Sequence, residues 1–146
     1  AGPYFQAKLT TAASFTDTGL KAGQRYYYKV RSYNAIGGIP FESGIFSAPL
    51  AGVPLAKSAI TSAIGVSESQ IMLIWKKVMG ATGYQILRST TAGGTYKVIK
   101  TTIALSVTAG GMLHSKTYYF KVRPYKQFGT VRYYGPLSAY RAGKTK

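Results

Sequence analysis

Side chains able to carry out acid–base or metal chemistry are scarce in this sequence. The carboxylates are Asp17, Glu42 and Glu68, and the single imidazole is His114. General acid–base catalysis needs titratable groups in pairs, whereas residues 58–146 hold one carboxylate and one imidazole, in different predicted turns. A metal site needs three or four convergent ligands, and the chain has no cysteine. We therefore expect a non-enzymatic protein with no catalytic residue, no metal site and no cofactor, and we expect His114 to be a solvated loop residue.

Candidate binding residues form a pattern that occurs twice. Two segments carry the order Tyr, Lys, Arg, Tyr at every second position, namely Tyr27, Lys29, Arg31 and Tyr33, then Tyr119, Lys121, Arg123 and Tyr125. In a strand these alternate positions share one face, which we expect to point to solvent, with Gln85 and Leu87 extending the second patch. Aromatic planes can hold sugar rings, while arginine pairs with carboxylate or phosphate through two hydrogen bonds. Cross-strand packing, worth about 0.2 to 1 kcal/mol per pair, is the structural alternative.

The charge balance indicates an anionic partner. Nineteen lysines and arginines face three acids, which gives a formal net charge of +16. A field of one sign raises the local concentration of polyanions. Nucleic acid, anionic cell-wall polymer, acidic polysaccharide and an acidic membrane surface are the candidates, and solubility alone is the alternative. The longest apolar run, residues 71–75, is far shorter than the roughly 20 residues of a membrane span.

The elements that must position these residues are strands. Thirteen Tyr, six Phe and seventeen Gly beside many Val, Ile and Thr predict an all-β fold. Shifting the sequence by 92 positions aligns residues 26–31 with 118–123, and after a one-residue slip residues 44–48 align with 135–139. The second copy reads as seven strands, at 61–66, 70–77, 83–89, 96–101, 104–108, 117–125 and 131–142.

The first copy contains only the counterpart of the sequence from about Gly93 onward. We therefore predict a C-terminal half-module at 1–53, a linker at 54–57 and a complete module at 58–146. A half-module leaves apolar faces and strand edges open, which is an aggregation hazard. Two explanations remain. Residue 1 lies inside a module of a longer polypeptide, or another chain supplies the missing strands and builds a homo-oligomer.

The pattern of these residues resembles the fibronectin type III family, and the resemblance covers essentially the whole chain. Trp75 and Tyr84-Gln85-Ile86 match its second and third strands, while Leu20 with Tyr26 and Met112 with Tyr118 match its corner tyrosine. The resemblance implies an immunoglobulin-like antiparallel β-sandwich in which the corner hydroxyl bonds nearby backbone. The implied core of the second module is Ile71, Leu73, Trp75, Tyr84, Ile86, Val98, Val107, Met112, Tyr118, Phe120 and Val122.

The stretch WKKVMGATGYQILRS, at residues 75–89, together with residues 94–97, is similar to tandem modules of secreted and surface proteins of bacteria. This similarity implies a non-catalytic extracellular spacer or adhesion module at the cell surface. Such a module displays or anchors a larger protein, contacts that protein's other domains, and binds an anionic polymer or polysaccharide. Two alternatives remain: a structural subunit of a fibre completed by a neighbour's strands, and nucleic-acid binding by the basic face.

Overall fold

The computed structural model describes residues 3–146. Within that range the chain forms twelve strands and no helix, and every strand pair is antiparallel. The all-β prediction is confirmed. No helix in the described part is therefore long and apolar enough to cross a bilayer. The same residues contain no cluster of three or more His, Cys, Asp or Glu side chains placed to hold a metal ion.

The second copy is a sandwich of two sheets. One sheet has the order β5-β6-β9, and the other has the order β11-β10-β7-β8, with β12 also pairing with β10. The strands are β5 (Ile60–Ser67), β6 (Gln70–Trp75), β7 (Gly83–Ser89), β8 (Lys97–Thr102), β9 (Ser106–Ala109), β10 (Thr117–Phe128), β11 (Val131–Tyr134) and β12 (Arg141–Lys144).

The first copy has four short strands, β1 (Tyr26–Tyr28), β2 (Tyr33–Ile36), β3 (Ile39–Glu42) and β4 (Leu50–Gly52). Strand β1 pairs with β4, and β2 pairs with β3. These two ladders are the counterparts of β10 with β12 and of β10 with β11. The boundaries predicted for the half-module, the linker and the complete module stay a prediction.

The core of the sandwich lies between its two sheets. Ile71 and Leu73 from one sheet and Phe120 and Val122 from the other have no exposed surface. The predicted core residues are buried with two exceptions. Val107 is half-buried against the core, and Val98 is 48% exposed.

The exposure of Val98 has a clear cause in the register of β8. Opposite β7, Ile86 pairs with Lys100 and Leu87 pairs with Val98, so that one residue of β8 is skipped. The skipped residue is Ile99, and it packs against the core in place of Val98. A β-bulge of this kind changes which side chains face inward, and strict alternation along the sequence does not predict it.

The single strand predicted at 131–142 is two strands, and the preceding strand extends to Phe128 rather than to residue 125. Residues 135–140, between β11 and β12, are not part of a strand. Within this segment Ser138 still forms two hydrogen bonds with the backbone of β10. Its amide donates to the carbonyl of Val122 at 2.8 Å, while its hydroxyl accepts from the amide of Val122 at 3.0 Å. Both backbone groups of Val122 are thus hydrogen-bonded although no regular strand lies beside this residue on that edge.

The duplication is visible in the hydrogen bonds. Ser47 repeats the role of Ser138, because its hydroxyl accepts from the amide of Val30 at 3.0 Å and its own amide donates to the Val30 carbonyl at 2.7 Å. The corner tyrosines also match. The Tyr26 hydroxyl accepts from the Lys21 amide at 3.0 Å, and the Tyr118 hydroxyl accepts from the Leu113 amide at 2.9 Å.

The two copies touch at a short junction. The amide of Gly23 donates to the carbonyl of Pro54 at 2.9 Å. A Cβ placed on Gly23 would lie 2.6 Å from the Cα of Gly80, so the two backbones are in direct contact. Beside them, the guanidinium of Arg25 lies 4.1 Å from the ring centroid of Phe128. Attraction between a cation and an aromatic face stabilises this contact.

Candidate ligand surface

The candidate surface is the outer face of the sheet formed by β11, β10, β7 and β8. Along β10 the side chains alternate, and Tyr118, Phe120 and Val122 point into the core. Their neighbours Tyr119, Lys121 and Arg123 lie on the other face, as the alternation predicts, but they are half-buried rather than fully exposed to solvent. Their role in binding stays a prediction.

Tyr125, the last member of the pattern, is only 4% exposed, so the expectation that it points to solvent was wrong. The guanidinium of Arg132 covers its ring at 4.8 Å, and the Tyr134 ring lies 6.0 Å away. Its hydroxyl occupies the space beside Gly83, because a Cβ on that glycine would come within 2.6 Å of the oxygen. Tyr125 forms the floor of the surface. Leu87, also expected to extend the patch, is likewise buried, at 7% exposure.

Arg123 is held in a fixed orientation on this face. Its Nε donates to Oε1 of Gln85 at 2.9 Å, and Nε2 of Gln85 donates to the Tyr134 hydroxyl at 3.2 Å. The guanidinium carbon lies 4.3 Å from the Tyr134 ring centroid. Within residues 3–146 the terminal nitrogens of Arg123 have no hydrogen-bond partner. The side chain therefore presents a preorganised planar fork of the kind that binds carboxylate or phosphate.

The other end of the face is an aromatic cluster around Lys121. Its Nζ lies 4.3 Å from the ring centroid of Tyr96. Tyr119 and Tyr140 meet edge to face, with centroids 5.4 Å apart. Burial raises the pKa of Tyr96, and the neighbouring Tyr140 and Tyr119 raise it further. The cluster thus combines one cation with three aromatic rings.

The first copy of the pattern has a different environment. Tyr27 is 51% exposed and its hydroxyl accepts from Nη1 of Arg25 at 3.1 Å, while Tyr33 is half-buried. Lys29 lies over the Tyr4 ring at 4.8 Å. Arg31 forms an ion pair with Glu42.

The ring of Phe46 lies close to both of these cations. Its ring centroid lies 4.7 Å from the guanidinium carbon of Arg31 and 6.0 Å from Nζ of Lys29. Because Glu42 already balances the charge of Arg31, the first copy offers less free positive charge than the second.

Sequence reasoning missed Tyr96, Tyr134, Tyr140 and Arg132. These residues come from β8, β11 and the segments beside them, and none belongs to the repeated pattern. Their positions beside Lys121 and Arg123 depend on the cross-strand register, in which Tyr125 pairs with Tyr134 and Arg123 pairs with Gln85. The abundance of tyrosine is the only sequence signal that could have indicated the three tyrosines, and no such signal marks Arg132.

Glu68 and His114 lie in different turns but come close to each other. Nδ1 of His114 is 4.0 Å from Oε1 of Glu68, and the two side chains are 65% and 80% exposed. The exposure of His114 agrees with a solvated loop residue. A contact this open to water is worth little in stability.

The sheet architecture defines an antiparallel β-sandwich of the fibronectin type III type, which confirms the resemblance drawn from the motifs. A Fn3-like protein from Clostridium thermocellum has a similar crystal structure, with a TM-score of 0.52 and 25% sequence identity. The match covers 64% of this chain and 93% of that one. The fibronectin type III fold is typically non-catalytic.

Two further comparisons describe the chain as a whole. It is 31% identical over 132 residues to Exoglucanase B of Cellulomonas fimi, a match that covers 83% of this chain but 12% of that protein. Domains d3–d4 of the rat CD45 extracellular region share the fold over 99% of this chain and 76% of theirs, with a TM-score of 0.51 and 13% identity. No protein-family profile matches the chain.

Proposed function

We propose that this chain is a non-catalytic extracellular spacer and attachment region of a larger protein, and that it binds an anionic polysaccharide or cell-wall polymer. The binding surface is the outer face built on β10, with Lys121, Arg123 and Arg132 as cations and the exposed rings of Tyr134 and Tyr140 as stacking planes. The proposal rests on three cation–ring contacts that lie on one face of the sheet. They are Lys121 with Tyr96 at 4.3 Å, Arg123 with Tyr134 at 4.3 Å and Arg132 with Tyr125 at 4.8 Å.

The charges on this face have no acidic counterpart in the same sheet. The only carboxylate side chain between residues 58 and 146 is Glu68, which lies in the turn after β5 in the other sheet. Lys121 and Arg123 lie two residues apart on β10, a spacing of about 7 Å along the strand. A polymer with regularly spaced negative groups meets both cations at once, and its sugar rings stack on the neighbouring tyrosines.

A polysaccharide is favoured over other polyanions by two observations. The surface is rich in tyrosine, whose flat apolar faces suit the apolar faces of sugar rings. In addition, the chain resembles part of a protein named for its action on a glucan. Because that protein is much longer than this chain, its enzymatic activity is not assigned to this chain.

Affinity electrophoresis tests the proposal with three gels, containing an acidic polysaccharide such as polygalacturonate, a neutral β-glucan, or no polymer. We expect the acidic polymer to retard the protein strongly. The double variant Lys121→Ser with Arg123→Ser should lose most of this retardation. Rising salt should weaken binding by the unmodified protein, because exposed charges are screened over about 8 Å at physiological ionic strength.

The matched control is the double variant Lys76→Ser with Lys77→Ser, which removes the same charge from exposed positions that directly follow β6, a strand of the other sheet. If both double variants lose retardation equally, net charge rather than a specific face attracts the polymer. Unchanged retardation of the Lys121 and Arg123 variant would refute the proposed surface.

A further inference from the structure

An open cleft lies between the two sheets of the second copy, at the edge where the start of β5 faces the start of β12. Residues 57–60 and 139–141 line this cleft, and its volume is about 450 Å³. Two of the lining residues, Lys57 and Arg141, are cations, and none is acidic. The cleft is therefore a concave and positively charged place on the molecule.

The same edge of the sandwich is closed further along. There Gly143 of β12 packs against the other sheet, because a Cβ on this glycine would lie 3.1 Å from side-chain atoms of Ala63 and Ile71. Between Ile60 and Ser62 the register of β5 against β6 shifts by one residue. A β-bulge of this kind bends the strand that carries it. The cleft lies on the Ile60 side of this bend, and the closed part lies on the other side.

Arg141 projects from the core-facing side of β12. It pairs with Phe120 of β10, and directly paired residues of antiparallel strands place their side chains on the same face of the sheet. Phe120 is fully buried in the core. Gly143, two residues after Arg141, lies on the same face and touches the opposite sheet. Arg141 is nevertheless exposed, because the edge is open at its position.

Neither cation of the cleft is neutralised by an acidic side chain. The ion pairs among residues 3–146 involve Arg31 and His114, and not Lys57 or Arg141. The only carboxylate side chain of the second copy, Glu68, follows the last residue of β5, whereas the cleft lies at the first. A strand of eight residues is about 26 Å long, which exceeds the screening length of about 8 Å at physiological ionic strength.

Tyr140 connects this cleft to the outer face of the sheet. Its ring meets the ring of Tyr119 edge to face, and Tyr119 lies on the outer face beside Lys121. Tyr140 also lines the cleft, and it is 50% exposed. A ligand on the outer face therefore reaches the cleft by passing over one exposed aromatic ring.

We propose that the cleft is a second subsite, in which Lys57 and Arg141 bind an acidic group of a polysaccharide that has passed over Tyr140 from the outer face. The guanidinium and the ammonium group both donate charge-assisted hydrogen bonds to a carboxylate. This subsite presupposes the binding surface of the proposed function, and it adds a requirement for the ligand. The ligand is a linear acidic oligosaccharide long enough to occupy the outer face and the cleft together.

A length series of oligogalacturonates, from the trimer to the octamer, tests this subsite by isothermal titration calorimetry. We expect the affinity of the original chain to rise at the length at which an oligomer first reaches both places. Lys57→Ser with Arg141→Ser should lower the affinity for the octamer at least roughly fivefold and remove this rise. Lys121→Ser with Arg123→Ser should weaken the binding of oligomers of every length, because the outer face holds them all.

The matched control is Lys97→Ser with Lys100→Ser. It removes the same charge from exposed positions on β8, at the opposite edge of the sheet, and should keep the rise in affinity with length. Loss of the rise in this control would show that net charge causes it, and would overturn the subsite.

Two further outcomes separate the subsite from the proposed function. If the Lys57 and Arg141 variant binds the octamer as tightly as the original chain does, while the Lys121 and Arg123 variant does not, the outer face is supported and the cleft is refuted. Unchanged affinity together with new self-association of the Lys57 and Arg141 variant would show that these cations only prevent edge-to-edge pairing, and would equally refute the subsite. If the original chain binds no oligomer and no acidic polymer, the proposed function and the subsite are both overturned.

Discussion

The contact between Gly23 and Gly80 provides a direct test of whether the two copies are mechanically coupled. Gly80 has a φ of +79°, a left-handed conformation that costs an L-residue about 1 to 2 kcal/mol. Its added Cβ would also lie 2.7 Å from the Cα and the nitrogen of Gly23. Overpacking against a rigid neighbour costs about 1 to 3 kcal/mol more. Gly80→Ala should therefore destabilise the second copy by about 2 to 5 kcal/mol if the junction is rigid.

The matched control is Gly129→Ala. Gly129 also has a positive φ, +58°, but no atom lies within 4 Å of the position that its Cβ would occupy. This variant carries only the conformational cost, about 1 to 2 kcal/mol. The difference between the two variants isolates the contact with the first copy.

Urea denaturation followed by tryptophan fluorescence measures both variants. Trp75 is the only tryptophan and is 2% exposed, so its emission reports on the sandwich alone. We expect Gly80→Ala to lower the free energy of unfolding by at least about 1 kcal/mol more than Gly129→Ala does. Equal losses would show that residues 22 and 23 move aside freely, and would refute a rigid junction.

Three further predictions follow from burial and hydrogen bonding. Val122→Ala should cost about 2 kcal/mol in urea denaturation, whereas Val30→Ala should cost under about 0.5 kcal/mol, because only Val122 is buried; equal costs would contradict the difference in burial. Tyr118→Phe should lower the free energy of unfolding by about 1 kcal/mol in the same measurement, because the Leu113 amide loses its acceptor. An unchanged urea midpoint would show that this hydrogen bond does not stabilise the fold. The raised pKa of Tyr96 stabilises the fold below pH 10.0, its ordinary value, and that contribution is lost as the pH rises through the higher folded pKa. Thermal unfolding between pH 8 and 11 should therefore show a steeper alkaline loss than in Tyr96→Phe, and identical slopes would contradict this prediction.

Sequence patterns predicted the fold well wherever a local rule is strong. Trp75 and the alternation in β6 and β10 predicted the buried face, and the corner motif predicted the hydroxyl bond of Tyr118. The errors occur where register depends on a partner strand. Because of the bulge opposite Ile86, Ile99 rather than Val98 packs against the core. The segment in which Ser138 bonds to Val122 separates one predicted strand into two.

The candidate surface was less predictable than the fold for the same physical reason. Alternation along one strand correctly placed Tyr119, Lys121 and Arg123 on a common face. It did not show that Arg132 folds over Tyr125 from the next strand, which converts an expected exposed ring into a buried floor. Side chains of this length are positioned by several strands together, so a pattern within one strand identifies members of a surface but not its shape.

The two copies also separate what the backbone determines from what side chains add. Both have the same corner bond and the same serine bridge, at Ser47 and Ser138, so the ladder geometry is reproduced although the described residues of the first copy form no opposing sheet. The charged stripes nevertheless differ, since Arg31 is neutralised by Glu42 while Arg123 is held by a neutral glutamine. A neutral partner orients the guanidinium without cancelling its charge. At its arginine position the pattern therefore forms an internal ion pair in one copy and keeps an uncompensated charge in the other, which is why the proposed binding belongs to the second copy.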